Sequence, residues 1–342
     1  MLASMLGLFS QDLALDLGSS RTRLYRRGEG IIADVPTVLA VRTRKSGRRE
    51  VLAVGDDARA MIGRTPDGID AVRPVRSGRI IDFDVVDALL QHLAQTTLGR
   101  GSWSRPRIGV AVAPDAPEVA QRAWRDACEA FRAREVALVP APLAAAAGCG
   151  LDIEGTSGHM VVDLGAGTTE IAVLCMREVI TSATLEVGGD VLDGAIIRHL
   201  RRDHALLIGP TTAERVKLEI GAATEPDPYQ TIHVSGRCLR RGVPRSEELS
   251  SYEICQAMRE PVAALGAGIR RVLEQTPPEI ASDVVDHGVL ITGGGSLLRN
   301  LDIALRSSTG LAILPADAPA EAVVRGTASC MTERTRRELV PA

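Results

Sequence analysis

Aromatic rings are scarce in this chain: three Phe, three Tyr and two Trp make up 2% of 342 residues. With so few rings and a formal charge of −3, it lacks the stacking platforms and the basic face that nucleic-acid binders use, so no nucleic-acid partner is expected. Lysine is scarcer still, Lys45 and Lys217 standing alone in a strongly Arg-biased chain. The cysteines (Cys128, Cys149, Cys175, Cys238, Cys255, Cys330) are far apart, with no CxxC pair and no His at metal-ligand spacing. They read as buried thiols of a reducing cytosol. No apolar run approaches the ~20 residues of a membrane span. The start MLASMLGLFS lacks the positive region of a signal peptide, so export is not expected. Pro-rich linkers between independent domains are also missing.

What is present is enough apolar material, 45% of the chain, to bury large cores and to divide into more than one lobe. The stretch LALDLGSSRTRLY at 13–25 is echoed by VVDLGAGTTEIAV at 161–173. Each copy reads Asp-Leu-Gly, three variable residues, then Thr, and the two aspartates lie 147 residues apart. That interval is the size of a whole domain, which predicts a duplicated half-structure.

The coarse pattern repeats as well. Short apolar runs at 12–18, 21–26, 30–34 and 37–42 predict an antiparallel meander. A helix at 84–97, a strand at 107–113, a helix at 115–131 and a strand at 135–139 follow with parallel logic. The second half offers strands at 159–163, 169–175 and 178–185, and helices near 190–204, 212–222 and 253–274. A strand at 288–292 and a helix at 296–308 complete it. The expected class is α/β, two related lobes with mixed sheets facing each other across a cleft, with inserted subdomains near 34–74 and 185–250.

The Asp-Leu-Gly turn carries chemistry. A Gly after a strand-end carboxylate lets the backbone bend so that successive N–H groups form an anion-binding nest, with Thr or Ser hydroxyls as further donors. Such a turn suits phosphate. Asp16 and Asp163 cannot usefully touch phosphate themselves, but each can hold a hydrated Mg²⁺ that neutralises it. A third turn, VLITGGGSLLRN at 289–300, sets Gly293, Gly294 and Gly295 between a strand and a helix start. It either admits a flat ring or a phosphate, or is a tight packing turn. In TTAERVKLEIG at 211–221, Glu214 and Lys217 share a helix face. They are either a solvated ion pair or, since Lys is so rare here, a compact ammonium placed beside a ribose or purine.

These motifs, in this order and spacing, resemble the actin-like ATPases, and among them the bacterial MreB family of cell-shape filaments. The resemblance covers nearly the whole chain. It is carried by VGDDARAMIGRTPDGIDAVRPVRSGRIIDF (54–83), VGGDVLDGAIIRHLRRDHALLIGPTTAERVKLEIGAA (187–223), GVPRS (242–246) and QTPPEIASDVVDHGVLITGGGSLLRNLD (275–302).

It implies an actin-like ATPase fold of four subdomains: IA from 1–33, 75–146 and 318–342; IB from 34–74; IIA from 147–184 and 251–317; IIB from 185–250. It implies ATP or ADP with Mg²⁺ in the cleft, held by Gly18, Ser19, Ser20, Arg21 and Thr22 on one arm and Gly165, Ala166, Gly167, Thr168 and Thr169 on the other. Glu214 and Lys217 would edge the nucleoside, and Gly293, Gly294 and Gly295 would lie by the purine and phosphates. It further implies head-to-tail filaments, with protofilaments that pair or stay single. They would lie at the cytoplasmic face of the inner membrane, among membrane proteins of cell elongation and wall synthesis.

Departures from the family pattern bear on turnover. Where the family usually reads Glu-Glu-Pro-Met-Ala-Ala-Ala, and the Glu before Pro positions the attacking water, this chain reads LVPAPLAAAAG and Ala141 takes that place. Alanine neither accepts a proton nor orients water, so slow hydrolysis is expected. Glu170, on the strand that follows the second Asp-Leu-Gly turn, is expected to turn away from the cleft by strand alternation. Ser19, Ser20 and Arg21 replace Thr-Ala-Asn, and Arg21 either reaches a phosphate or points into solvent. Ala166 replaces a Gly and strains its turn only if φ is positive there.

At the start, Leu2, Met5, Leu6 and Phe9 form an apolar stripe at helical spacing. It suits a membrane interface, with Trp103 as a second anchor, or else packs on the first lobe. Two rival readings stay open: a superfamily ATPase that forms no filament, and a degenerate nucleotide-binding adaptor without turnover.

Overall fold

The computed structural model describes residues 12–45, 47–98 and 105–339, with side chains as far as Met331. The chain divides into two units, the first running to Ile153 and resuming at Glu321, the second spanning Glu154–Ala320.

The first unit opens with β1 (Asp12–Leu17), β2 (Arg21–Arg26) and β3 (Gly30–Pro36). β4 (Leu39–Thr43), β5 (Arg49–Val54), α1 (Asp56–Ala60), β6 (Ile69–Val72) and the short hairpin of β7 (Val75–Arg76) and β8 (Arg79–Ile80) follow. Then come α2 (Phe83–Thr97), β9 (Arg107–Val112), α3 (Glu118–Ala127), β10 (Glu135–Pro140) and α4 (Ala141–Gly148). The main sheet has the order β10-β9-β1-β2-β3. β1, β2 and β3 are antiparallel, and β9 and β10 are parallel additions. Leu13, Leu15, Leu24, Leu89 and Ile108 are all fully buried in its core. α2 begins where Asp82 accepts a hydrogen bond from Val85 N at 3.2 Å, and it buries Val85, Val86, Leu89, Leu90 and Leu93 at helical spacing.

The expected four-strand meander stops at three. Pro36 has no N–H to continue the ladder, and Thr37 N instead donates to Ser20 O at 2.9 Å. The chain is thereby turned out of the sheet, and β4 becomes the centre of a separate sheet, β5-β4-β6, within the stretch 34–74. The helix expected from 115 begins at Glu118, behind Pro117.

The second unit repeats the plan with β11 (His159–Leu164), β12 (Thr169–Cys175) and β13 (Glu178–Leu185), an antiparallel meander. α5 (Gly189–Asp203), β14 (Leu206–Leu207), α6 (Pro210–Ile220), β15 (Thr231–Cys238) and β16 (Pro244–Ser250) come next, the three strands forming the sheet β14-β15-β16. α7 (Ser251–Glu274), α8 (Pro278–His287), β17 (Val289–Thr292), α9 (Leu301–Thr309) and β18 (Ile313–Pro315) complete the unit. β17 and β18 add in parallel, giving the order β13-β12-β11-β17-β18. Strand for strand, this is the topology of the first unit. Met160, Ile171, Ile196, Met258 and Ile269 lie at its buried centre.

α10 (Ala322–Leu339) returns to the first unit and crosses α4. The crossing leaves no room for a methyl group. A Cβ at Gly326 would fall 1.6 Å from Ala144 O, and one at Gly148 would fall 1.9 Å from Ala322 O. The run of alanines in α4 is explained by this contact, since small side chains let two helix backbones touch.

Candidate functional site

The two echoed turns fold alike. Gly18 N donates to Arg21 O at 3.0 Å, and Gly165 N donates to Thr168 O at 2.9 Å. The closing pairs are Leu17 with Thr22 and Leu164 with Thr169. Both glycines are required by the closeness of the returning strand: a Cβ would lie 2.9 Å from Arg21 O in the first turn and 3.1 Å from Thr168 O in the second. Ala166 lies outside the positive-φ region, so its side chain adds no backbone strain.

The threonines behave differently from a phosphate donor. Thr22 and Thr169 are fully buried. Thr22 Oγ1 shares a hydrogen bond with Thr37 Oγ1 at 2.9 Å, and Thr169 Oγ1 donates to Val187 O at 2.5 Å. Their hydroxyls fix the turns from beneath, leaving Ser19, Ser20, Gly167, Thr168 and the turn N–H groups as the donor set.

Charge around the first turn forms a ladder across β1, β2 and β3, with Asp16 opposite Arg23 and Arg23 opposite Asp34. Arg23 lies 3.7 Å from Asp16 and 3.4 Å from Asp34. Burial pushes the Asp16 carboxyl up to about 6; Arg23 opposes the rise and Asp34 adds to it. Arg21, expected either on a phosphate or in solvent, is paired with Asp34 at the sheet surface. Its guanidinium donates to Asp34 Oδ1 at 2.6 Å and to Asp34 O at 2.9 Å.

The second turn differs at the matching register. Opposite Asp163 stands Glu170, and directly paired residues project on the same face of a sheet. Glu170 therefore shares the face of Asp163, contrary to the expectation that it turns away. Alternation along β12 alone does not show this; the register across the β11–β12 pair does.

α5 is built onto this second turn. Gly189 N donates to Gly165 O at 3.1 Å, and Asp190 N donates to Ala166 O at 2.8 Å. Two of the helix's unpaired N-terminal donors are thus satisfied by the turn's carbonyls. Contact is so close that a Cβ at Gly188 would sit 2.5 Å from Ala166 O.

Lys217, expected beside a nucleoside, is engaged within this scaffold. Its Nζ lies 2.9 Å from Asp193 Oδ1 and donates to Gly189 O at 3.1 Å. Burial raises Asp193 to about 6 against the pull of Lys217. A compact ammonium fits under Gly189, whose missing Cβ would lie 3.2 Å from Nζ, and a planar guanidinium is a poorer fit there. Glu214, half-buried, lies one turn earlier on α6.

The triple glycine is mostly a packing turn. Gly293 has φ 82°, and a Cβ there would lie 2.3 Å from Leu164 O and 2.5 Å from Asp163 Oδ1. A Cβ on Gly295 would meet Leu164 Cγ at 2.5 Å, whereas one on Gly294 would meet nothing within 4 Å. The expected helix start is instead a 3-10 turn at Gly294–Leu297, and α9 begins only at Leu301, after the left-handed Asn300. Helix-terminal charge therefore does not act at these glycines. Of the three, only at Gly294 does a Cβ meet open space.

At the head of α4, Pro140 is the N-cap and Ala141 the first helical residue, the latter buried, with Pro142 following. None of these three side chains carries a proton acceptor. A divalent cation suits the second turn by donor chemistry, because Asp163 and Glu170 present carboxylate oxygens on one face. Asp16 already has a guanidinium opposite. Leu2, Met5, Leu6, Phe9 and Trp103 lie outside the described residues, and among the described residues no helix is long and apolar enough to cross a membrane.

Two units on one strand plan, each opening with an Asp-Leu-Gly hairpin, define the actin-like fold. MreB5 of Spiroplasma citri bound to ADP superposes with a TM-score of 0.89 at 27% identity, covering 96% of this chain and 98% of that one. A MamK double helical filament chain, 19% identical over 94% of this chain and 99% of that one, shares the fold at a TM-score of 0.76. The chain belongs to the MreB/Mbl family, whose family model matches residues 10–338. It is 44% identical to the cell shape-determining protein MreB of Escherichia coli (strain K12), over 95% of this chain and 94% of that protein. It is 38% identical to the cell shape-determining protein Mbl of Bacillus subtilis (strain 168), over 94% and 95%.

Proposed function

We propose that this chain is a nucleotide-binding filament protein of the bacterial cell-shape machinery. ATP or ADP is bound with Mg²⁺ by the backbone donors of the turns at 18–21 and 165–168, with Gly294 beside the nucleotide. The observation that carries the reading is the matched pair of turns, built alike in both units of a chain whose structural relative MreB5 was seen with ADP and, in a second structure, with AMPPNP. Asp163 and Glu170 hold the hydrated cation, which neutralises the phosphates when bound. Thr169, α5 and Lys217 keep the second turn in shape. The nucleotide-bound chain assembles head to tail. Leu2, Met5, Leu6, Phe9 and Trp103 bring the filament to the cytoplasmic face of the membrane, where it meets membrane proteins of wall synthesis.

Hydrolysis is slow because nothing at Pro140, Ala141 or Pro142 can order the attacking water, and phosphoryl transfer depends on such positioning. The test is ATP binding and phosphate release with Mg²⁺ under polymerising conditions, for wild type and Ala141→Glu. ATP binding with much faster release by the variant supports the account. Brisk wild-type release that Ala141→Glu leaves unchanged overturns it. The lack of a water-positioning carboxylate favours one second reading, a static adaptor without turnover. Negligible ATP affinity together with absent filaments would identify that case.

A further inference from the structure

Two imidazoles and a carboxylate converge where α5 ends and the long helix α7 begins, away from the turns described above. His199 lies on the last turn of α5, His204 is its C-cap, and Glu253 is the third residue of α7. His204 Nε2 is 2.9 Å and His199 Nε2 is 3.5 Å from the same oxygen, Glu253 Oε2. One ligand atom from each of the three residues lies within 4.8 Å of the others, and this is the single group of that kind among the described residues. The side chains are 13%, 22% and 23% exposed, so the group is half-sheltered yet reachable.

His199 has a second carboxylate beside it. Its Nδ1 lies 2.8 Å from Asp203 Oδ2, an acceptor that can hold the ring's proton on Nδ1 and leave Nε2, on the side of Glu253 Oε2, as the ligand atom. Glu253 Oε1 accepts from Ser250 N at 2.5 Å, closing a capping box that orients Oε2 toward the rings.

We propose that His199, His204 and Glu253 form a site for one divalent transition-metal ion of the zinc class, with water in the fourth position. Two nitrogens and one oxygen are a known tetrahedral zinc set, in which neighbouring ligand atoms stand about 3.3 Å apart. The two separations to Glu253 Oε2 bracket that value. Asp203 is the positioning carboxylate that fixes the ring of His199, as metal-bound imidazoles usually require. Magnesium and calcium, which take oxygen ligands, are excluded by the two nitrogens. A bound ion ties the end of α5 to the start of α7, and α5 is the helix whose first N–H groups are held by the second turn.

The site is independent of the nucleotide reading, and its test can be run without ATP. Tag-free full-length chain, stripped with chelator, is titrated with Zn²⁺ by calorimetry and with Co²⁺ by visible absorption. The variants are His199→Gln, His204→Gln, Glu253→Gln and Asp203→Asn. Glu253→Gln keeps the capping box, since Gln serves at that position as well. One ion per chain is expected, with a tetrahedral cobalt spectrum free of a thiolate band and a rise in thermal midpoint on adding zinc.

Affinity should drop by at least about tenfold in Asp203→Asn, and further in the three ligand variants, with the midpoint rise abolished. Equal zinc affinity in wild type and the folded variants, a cobalt spectrum dominated by cysteine thiolate, or no binding at all would each overturn the proposal.

Discussion

Replacing Lys217 with Met removes an ammonium 2.9 Å from Asp193 Oδ1 and 3.1 Å from Gly189 O, and keeps an apolar stem. The size of the effect follows from Asp193, whose pKa burial has lifted to about 6 even with Lys217 beside it. At about pH 7.5 the ionised form is favoured inside the fold by only about 2 kcal/mol, at ~1.36 kcal/mol per pH unit. Without the ammonium, the fold can escape by protonating Asp193. The charge part of the penalty is therefore capped at about 2 kcal/mol, below the ~3–5 kcal/mol of a deeply buried pair broken on one side.

Loss of the bond to Gly189 O adds about 1 kcal/mol, so the variant should be destabilised by about 3 kcal/mol. At about pH 5.5 Asp193 is mostly protonated already, and only about 1 kcal/mol should remain. The sign is that of a raised carboxyl: its folded value lies above the ordinary 3.8. Its contribution to wild-type stability is thus fully present below about pH 4 and lost as pH rises through about 6.

The second unit, Glu154–Ala320, contains no tryptophan to follow. Suitable readouts are urea unfolding by far-ultraviolet circular dichroism and hydrogen exchange of peptides covering α5, each at both pH values. Equal destabilisation at the two pH values would refute the reasoning, as would a Lys217→Met/Asp193→Asn double variant no more stable than Lys217→Met.

Gly326→Ala drives a methyl against Ala144 O, a backbone atom that cannot move aside, and should destabilise the first unit by about 3 kcal/mol or more. The fluorescence of buried Trp124 in a urea melt measures it, and an unchanged midpoint counts against the crossing. Gly293→Ala, strained in φ and clashing with Leu164 O, should also cost about 3 kcal/mol. Gly294→Ala should stay within about 0.5 kcal/mol of wild type yet weaken nucleotide binding in a fluorescent-nucleotide titration; unchanged affinity would remove Gly294 from the site. Asp163→Asn should abolish most of the Mg²⁺ dependence of nucleotide affinity, whereas Asp16→Asn should leave most of it. The reverse order would show that the cation sits on the first turn.

The duplicated hairpins were legible because a strand ending in Asp-Leu-Gly has few ways to fold, and the repeat fixed the topology of both units. What sequence could not supply was the partner of each charged side chain. Arg21 meets Asp34 through cross-strand register, and Lys217 meets Asp193 across two helices, so neither contact leaves a local spacing. The cluster of His199, His204 and Glu253 leaves no local spacing either, since Glu253 is 49 residues beyond His204 in the chain. Gly148 and Gly326 look unremarkable one by one, and only the α4–α10 crossing explains them. The 3-10 turn after Gly293 escaped because three glycines and a following apolar run suit a helix start equally well.

The two halves have kept one scaffold while their charges have diverged. At the register of Asp16, the facing strand supplies Arg23, and the neighbouring Arg21 and Asp34 complete a set in which two guanidiniums balance two carboxylates. At the register of Asp163 it supplies Glu170, so two carboxylates share one face. A phosphate chain needs both donors that accept its charge and a cation that offsets it, and a single turn that did both would set a carboxylate against the anion it binds. Under the function proposed above, the first turn, where Arg21 and Arg23 face Asp16 and Asp34, would offer its N–H groups to phosphate, and the second, where Glu170 faces Asp163, would offer carboxylate oxygens to a divalent ion. The second turn is also the more heavily braced: Thr169 donates to Val187 O, the first N–H groups of α5 donate to the turn's carbonyls, and Lys217 joins Asp193 to Gly189 O at the start of that helix.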